Sequence, residues 1–167
     1  AHAILLGLEG VPAIYLHSFV ATSNDLSRVE NTGHNRAINR HQWALDELTE
    51  LLNDAESQHA KCLRAVKCLI GIRQRQPAFH PNATQFTLNC GQSIFGFWRQ
   101  SPDRAQSIFC LYNVTPTSTK IAAASLNLVG SDSWQDLISG ETVDLCSEDP
   151  TIALAPYQAV WLTNTII

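Results

Sequence analysis

The feature that most constrains this chain is a change of hydrophobic period across "PAFHPN", residues 77–82. Before it, apolar residues recur at helical spacing. Leu63, Val66, Leu69 and Ile70 make one stripe along a helix expected from about Ser57 to Gln76. Trp43, Leu45, Leu48, Leu51 and Leu52 make a shorter one, interrupted at Asn53 and Asp54. Arg73 and Arg75 fall in the last turn of the longer helix, where cations complement the dipole, and Pro77 ends it. After the change, the chain breaks into short strand-like runs: 85–89, 94–100, 107–115, 120–126, 134–138, 142–145, 151–155 and 159–163. Turn signals such as "CGQS", "SPDR", "TPTS" and "APYQ" separate them. Short strands joined by turns build an antiparallel sandwich or small barrel. The chain is therefore α+β, with a boundary between two fold types near 77–81.

The first twenty residues read differently. "AHAILLGLEG" has apolar residues at Ala3, Leu5, Leu6 and Leu8 but no capping residue before them, and the chain contains no methionine. A helix without a start signal reads as the tail of a longer one, so the sequence is expected to begin inside a larger protein. Gly10 and Pro12 stop that helix. "AIYLHSF", residues 13–19, lacks polar alternation, as a strand buried on both faces does. From Val20 to His41 neither period is present. A structureless stretch of that length inside a domain is uncommon and often functional.

Composition excludes some functions. The net charge is −4 and no basic block occurs, which argues against nucleic acid. No apolar run reaches membrane-spanning length. The five cysteines are odd in number, with no CxxC pair. Cys62 and Cys68 fall on different faces of a helix, while Cys90, Cys110 and Cys146 look like small hydrophobes in or beside strands. A reduced, cytoplasmic setting fits that usage.

The polar stretch "VENTGHNRAINRHQW", residues 29–43, carries the candidate chemistry. Arg36 offers a planar fork of donors that can hold sugar hydroxyls or phosphate oxygens in pairs. Its structural alternative is a loop-fixing ion pair with Asp25 or Glu30. His34 and Asn35 flank it and can hydrogen-bond a sugar; Asn35 could equally hold the loop backbone. Asn39 suits a helix cap and Arg40 a structural partner. His17, His34 and His41 match no zinc spacing, so no metal is expected. Asp25 and Glu30 share the loop, but a loop by itself does not hold two carboxylates at the fixed separation a retaining pair needs. The aromatics of the strand region, Trp98 and Trp161 among them, sit in apolar runs and read as core rather than as a sugar platform.

Taken in order, "GVPAIYLHS", "ND", "TGHNRAINR", "IRQRQPAF", "WQDLISGE" and "LAPYQAVWL" resemble the C-terminal part of the α-amylase superfamily. "TGHNRAINR" is similar to the branch of the sucrose, sucrose-phosphate and glucosylglycerate phosphorylases. The resemblance spans essentially the whole chain. It implies the last βα segments of a (β/α) barrel followed by an antiparallel all-β C-terminal domain. Residues 1–76 would be the barrel remnant, 77–81 a linker and 82–167 a sandwich-like β domain. The loop after the last strand would lie on the barrel face where active sites are built.

The resemblance also implies a reaction. One carboxylate attacks the anomeric carbon, a second carboxylic acid protonates the leaving group, and phosphate or water resolves the glucosyl-enzyme. Those carboxylates would sit after earlier barrel strands, upstream of Ala1, so no catalytic residue is expected in this chain. The implied substrate-binding residues are Arg36, Asn35, His34, Asp25 and Asn24. Asn24 and Asp25 match an "ND" of some sucrose phosphorylases. The implied partners are an α-glucoside, inorganic phosphate and the rest of the barrel, with no cofactor. Two other readings remain: a hydrolase of the same superfamily, and a non-catalytic β module with a helical arm for binding or assembly.

Overall fold

In a computed structural model, residues 1–126, 134–143 and 149–165 are described. Cys146, the turn at 129–133 and the end of the run 142–145 lie outside them. The helices are α1 (His2–Gly7), α2 (Leu16–Phe19), α3 (Leu26–Thr32), α4 (Leu45–Asn53) and α5 (Gln58–Gln74). The strands are β1 (Thr84–Leu88), β2 (Ile94–Gln100), β3 (Ser107–Asn113), β4 (Thr119–Ala122), β5 (Trp134–Asp136), β6 (Thr142–Val143), β7 (Thr151–Leu154) and β8 (Ala159–Thr163). The chain divides into two units, one of residues 1–12 with 69–167 and one of residues 13–68.

The first unit is built on a six-stranded sheet in the order β1-β2-β3-β8-β5-β6, its paired strands antiparallel, beside a β4-β7 pair. Alternation assigns its faces. Ile94, Phe109, Leu111, Val160 and Leu162 share a buried cluster with Ile121, Ile152 and Leu154 of the β4-β7 pair and with Trp134. This is the inside of a sandwich. An aromatic row crosses its edge: Phe86 stacks on Trp98 at 4.7 Å, and Trp98 on Phe109 at 5.9 Å.

The opposite face carries α1. The Tyr112 hydroxyl donates to Ala3 O at 3.0 Å and accepts from Trp161 Nε1 at 2.9 Å. Gly7 makes that approach possible, because a Cβ there would stand 2.3 Å from the Tyr112 hydroxyl and 3.0 Å from the Phe97 ring. The α1 carbonyls that lack helical partners are met by two buried arginines. Arg73 donates to Leu6 O and, at 2.9 Å, to Gly10 O. Arg99 donates to Gly7 O at 3.1 Å, to His80 O at 3.0 Å and to Ala83 O at 3.2 Å. Both guanidinium groups lie near the Phe79 ring, at 5.4 and 6.0 Å. Arg73 was expected to serve its own helix end; its guanidinium instead caps α1, where the carbonyls are buried and water cannot replace it. Burial also pushes the Tyr112 phenol and the Cys110 thiol up, so both stay neutral.

Three elements differ from the sequence reading. Residues 13–19 are not a strand: 11–15 run without regular structure and Leu16–Phe19 is a helical turn. A strand needs a hydrogen-bonded neighbour, and none is present among the described residues. The amides turn to local carbonyls instead, Phe19 N–H to Tyr15 O at 3.0 Å and Val20 N–H to Leu16 O at 3.1 Å. The run 120–126 is strand only as far as Ala122 and then a 3-10 turn, Ala123–Leu126, since "AAASL" offers little β-branched bulk. The run 107–115 stops at Asn113, whose side chain binds Thr115 N–H at 2.9 Å and donates to Thr117 O at 2.7 Å.

In the second unit, Ser57 caps α5, its hydroxyl accepting from Ala60 N–H at 3.0 Å. The shorter helix begins later than the apolar stripe suggests, with Ala44 at its N-cap. Asn39 therefore caps nothing downstream; it ends a 3-10 turn, Asn35–Asn39. Trp43 precedes α4, with its ring edge-on to His41 at 4.5 Å and to His59 at 5.3 Å.

Candidate functional site

The segment from Val20 to His41 is ordered by its own side chains. Asp25 opens α3 as its N-cap, its Oδ1 accepting from Arg28 N–H at 2.9 Å and from the Ser27 hydroxyl at 2.8 Å. Gly33 closes α3 in the left-handed region, φ 69°. The chain then turns through Asn35–Asn39, and Asp25 N–H reaches Ile38 O at 2.7 Å. Asp25 Oδ2 lies 2.8 Å from His41 Nδ1. That contact, with the Ser27 and Arg28 hydrogen bonds, holds the Asp25 carboxyl well below the usual range, at about 2. At the far side, Asn39 O accepts from the Tyr15 hydroxyl at 2.9 Å and lies 3.0 Å from His17 Nδ1. Trp43 Nε1 donates to the Thr22 hydroxyl at 2.9 Å, and His59 Nδ1 lies 2.7 Å from Val20 O.

The folded loop lines an open cavity of about 390 Å³ with Arg28, Thr32, His34, Asn35, Arg36, Ala37 and Arg40. Three of the sequence-selected residues, His34, Asn35 and Arg36, share it. Asn24 and Asp25 do not; they line a second cavity of about 300 Å³ with His41, Trp43 and His59. Arg36 and Arg40 also line a third, of about 310 Å³, with Tyr15 and Asn39.

The ion-pair alternative for Arg36 is not realised. Asp25 is taken by His41, and Arg36 makes no ion pair among the described residues. Arg40, read as a structural partner, is likewise without one. Among the described residues no three His, Cys, Asp or Glu side chains are gathered as a metal site, so His17, His34 and His41 do not come together. Arg28 and Thr32 were missed in the sequence. The signal for them was the bracket Asp25…Gly33, an N-cap and a left-handed C-cap with seven residues between them, which marks a helix too short to show a period and sets Arg28 and Thr32 on one side of it.

With the geometry in place, comparisons with known proteins bear on it. No family model matches the chain. It is 31% identical, over 98% of its length, to a glucosylglycerate phosphorylase of Spirochaeta thermophila, covering 29% of that protein. It is 35% identical, over 97% of its length, to a glucosylglycerate phosphorylase of Escherichia coli, covering 27% of it. The chain thus spans less than a third of the length of the curated relatives it matches. In structure it is similar to an Anoxybacillus α-amylase, with a TM-score of 0.72 over 96% of this chain and 30% of the other at 15% identity, which shows the fold. No helix among the described residues is long and apolar enough to cross a membrane. The order of motifs, the antiparallel β unit and the similarity along nearly the whole length agree: the chain is similar to part of the sucrose phosphorylase-like enzymes and shares the fold of α-amylases.

Proposed function

We propose that this chain is the C-terminal part of a retaining α-glucosyl-transferring enzyme that splits an α-glucoside with inorganic phosphate to give glucose 1-phosphate. The loop from Val20 to His41 forms one wall of its sugar site. Residues 1–76 end a (β/α) barrel, 77–81 link, and 82–167 form the C-terminal β domain. The nucleophile and the general acid come from parts of the whole protein outside these residues. The observation that carries the reading is the exposed Arg36 guanidinium, which has no ion pair among the described residues and lines a cavity with His34 and Asn35. The similarity to glucosylglycerate phosphorylases supports the choice of reaction.

The chemistry follows from those side chains. In a retaining transfer the glucosyl group must stay fixed while first a carboxylate and then a phosphate oxygen occupies the anomeric carbon. A guanidinium fork fixes two neighbouring hydroxyls at once and holds them through both steps. Asn35 supplies a donor and an acceptor, and His34 one of each when neutral, which suits hydroxyl groups.

The test is phosphate dependence in the full-length protein. Incubated with sucrose, glucosylglycerate or another α-glucoside, it is expected to release glucose 1-phosphate in proportion to added phosphate. Release of free glucose at the same rate with or without phosphate would make it a hydrolase instead.

A further inference from the structure

The cavity holds more positive charge than a neutral sugar calls for. Arg28 projects from α3, and Arg36 and Arg40 from the turn that follows Gly33, and all three line the same 390 Å³ space. None makes an ion pair among the described residues. Arg28 is tied to Asp25 only through its main-chain N–H, at 2.9 Å. The loop's carboxylates do not face them: Asp25 is bound to His41, and Glu30 is not among the lining residues. Like charges held around one space repel, and the arrangement becomes favourable when an anion enters. Each guanidinium presents a fork that matches two oxygens of a carboxylate or phosphate. Thr32 adds a hydroxyl to the wall.

We infer that Arg28 and Arg40 form an oxyanion subsite beside the sugar-contacting Arg36, taking a carboxylate or phosphate group of a substrate. This rests on the proposed function for its setting, since two sources of such a group meet there. One is the phosphate that resolves the glucosyl-enzyme. The other is an acid group on the leaving aglycone. Either way, anion selectivity is written in this loop, and Arg36 with its neutral neighbours is left to hold the sugar.

The experiment uses the full-length protein and the double variant Arg28→Gln with Arg40→Gln. Neither side chain has an ionic partner among the described residues, so the melting temperature is expected to stay within about 2 °C. Calorimetric titration with inorganic phosphate and with glycerate reads binding independently of turnover. At least one of the two is expected to bind the unaltered protein and to weaken by about tenfold or more in the double variant. In kinetics, KM for that same anion rises while kcat changes less than threefold. With α-glucosyl fluoride, a donor without an acid group, kcat/KM for glycerol, a neutral acceptor of similar size, stays within twofold. Loss confined to phosphate assigns the subsite to the attacking phosphate; loss confined to glycerate assigns it to the aglycone. No binding of either anion to the unaltered protein, or equal binding by protein and variant, overturns the inference. A protein that binds the anions through these arginines but never forms glucose 1-phosphate from any α-glucoside would leave the subsite standing and remove the proposed reaction.

Discussion

Asp25 Oδ2 and His41 Nδ1, sixteen residues apart in the chain, meet at 2.8 Å and close the loop between them. The same carboxylate caps α3 through Arg28 N–H, so one side chain sets both the start of the helix and the return of the loop. Asp25 was a candidate for binding substrate. Its two oxygens are instead engaged within the loop, and it acts on the cavity through the placement of Arg28 and Arg36.

This clasp has a pH signature. The Asp25 carboxyl lies at about 2 when folded, against an ordinary value of 3.8. A depressed value means the folded state favours the ionised form, so the contribution is complete above about pH 4 and is lost as pH falls toward 2. Hydrogen exchange of the Arg28 and Asp25 amides should stay protected from neutrality down to about pH 4 and open below it. In Asp25→Asn the protection is lower throughout, and its loss between pH 4 and pH 2 disappears. Retention of that acid step in the variant would assign it to another carboxyl.

If the proposed phosphorolysis holds, Arg36→Ala in the full-length protein is expected to lower kcat/KM by more than tenfold, about 1.4 kcal/mol. The melting temperature stays nearly unchanged because the side chain is exposed and makes no ion pair among the described residues. Steady-state kinetics and thermal melting on one preparation check both halves. Activity and stability falling together would make Arg36 a structural residue.

Gly7→Ala is expected to destabilise the first unit by about 1–3 kcal/mol. The added methyl would meet the Tyr112 hydroxyl, which cannot withdraw without breaking the Ala3 and Trp161 hydrogen bonds, and the buried Phe97 ring. Urea unfolding followed by tryptophan fluorescence reads it. An unchanged midpoint would show that α1 does not pack this closely.

Arg99→Met should cost at least about 2 kcal/mol, since it strands the Gly7 and Ala83 carbonyls in a buried place and removes one of the donors to His80 O. Arg99→Lys should recover only part, because its donors share one atom and cannot reach three separated acceptors. Unfolding midpoints that match for Lys and Met variants would instead point to the guanidinium plane over Phe79 as the main contribution.

How much of this was legible in the sequence depends on the range of the interaction. β2 and β8 match their expected runs residue for residue, because a short apolar run bounded by turn residues is a local signal. Trp161 was read as core and is fully buried. The site's central residues, His34, Asn35 and Arg36, do share a cavity, while Asn24 fell to another because its neighbour Asp25 is drawn to His41. The strand expected at 13–19 was read from apolar content alone, which does not show whether a pairing partner is present. Arg73 and Arg99 were opaque for a similar reason. Each caps carbonyls more than sixty residues away in the chain, and no local pattern announces that.

The bond between the Tyr112 hydroxyl and Ala3 O spans 109 residues. On a ribosome adding about 5–20 residues per second, α1 is made several seconds before the strand it rests on. During that interval its apolar side has no sheet to cover, and the Leu6, Gly7 and Gly10 carbonyls have no arginine. The opening segment must therefore be kept from wrong partners until synthesis is well advanced. A slowed or interrupted translation would leave it bare for longer, and chaperone demand should follow the speed of synthesis.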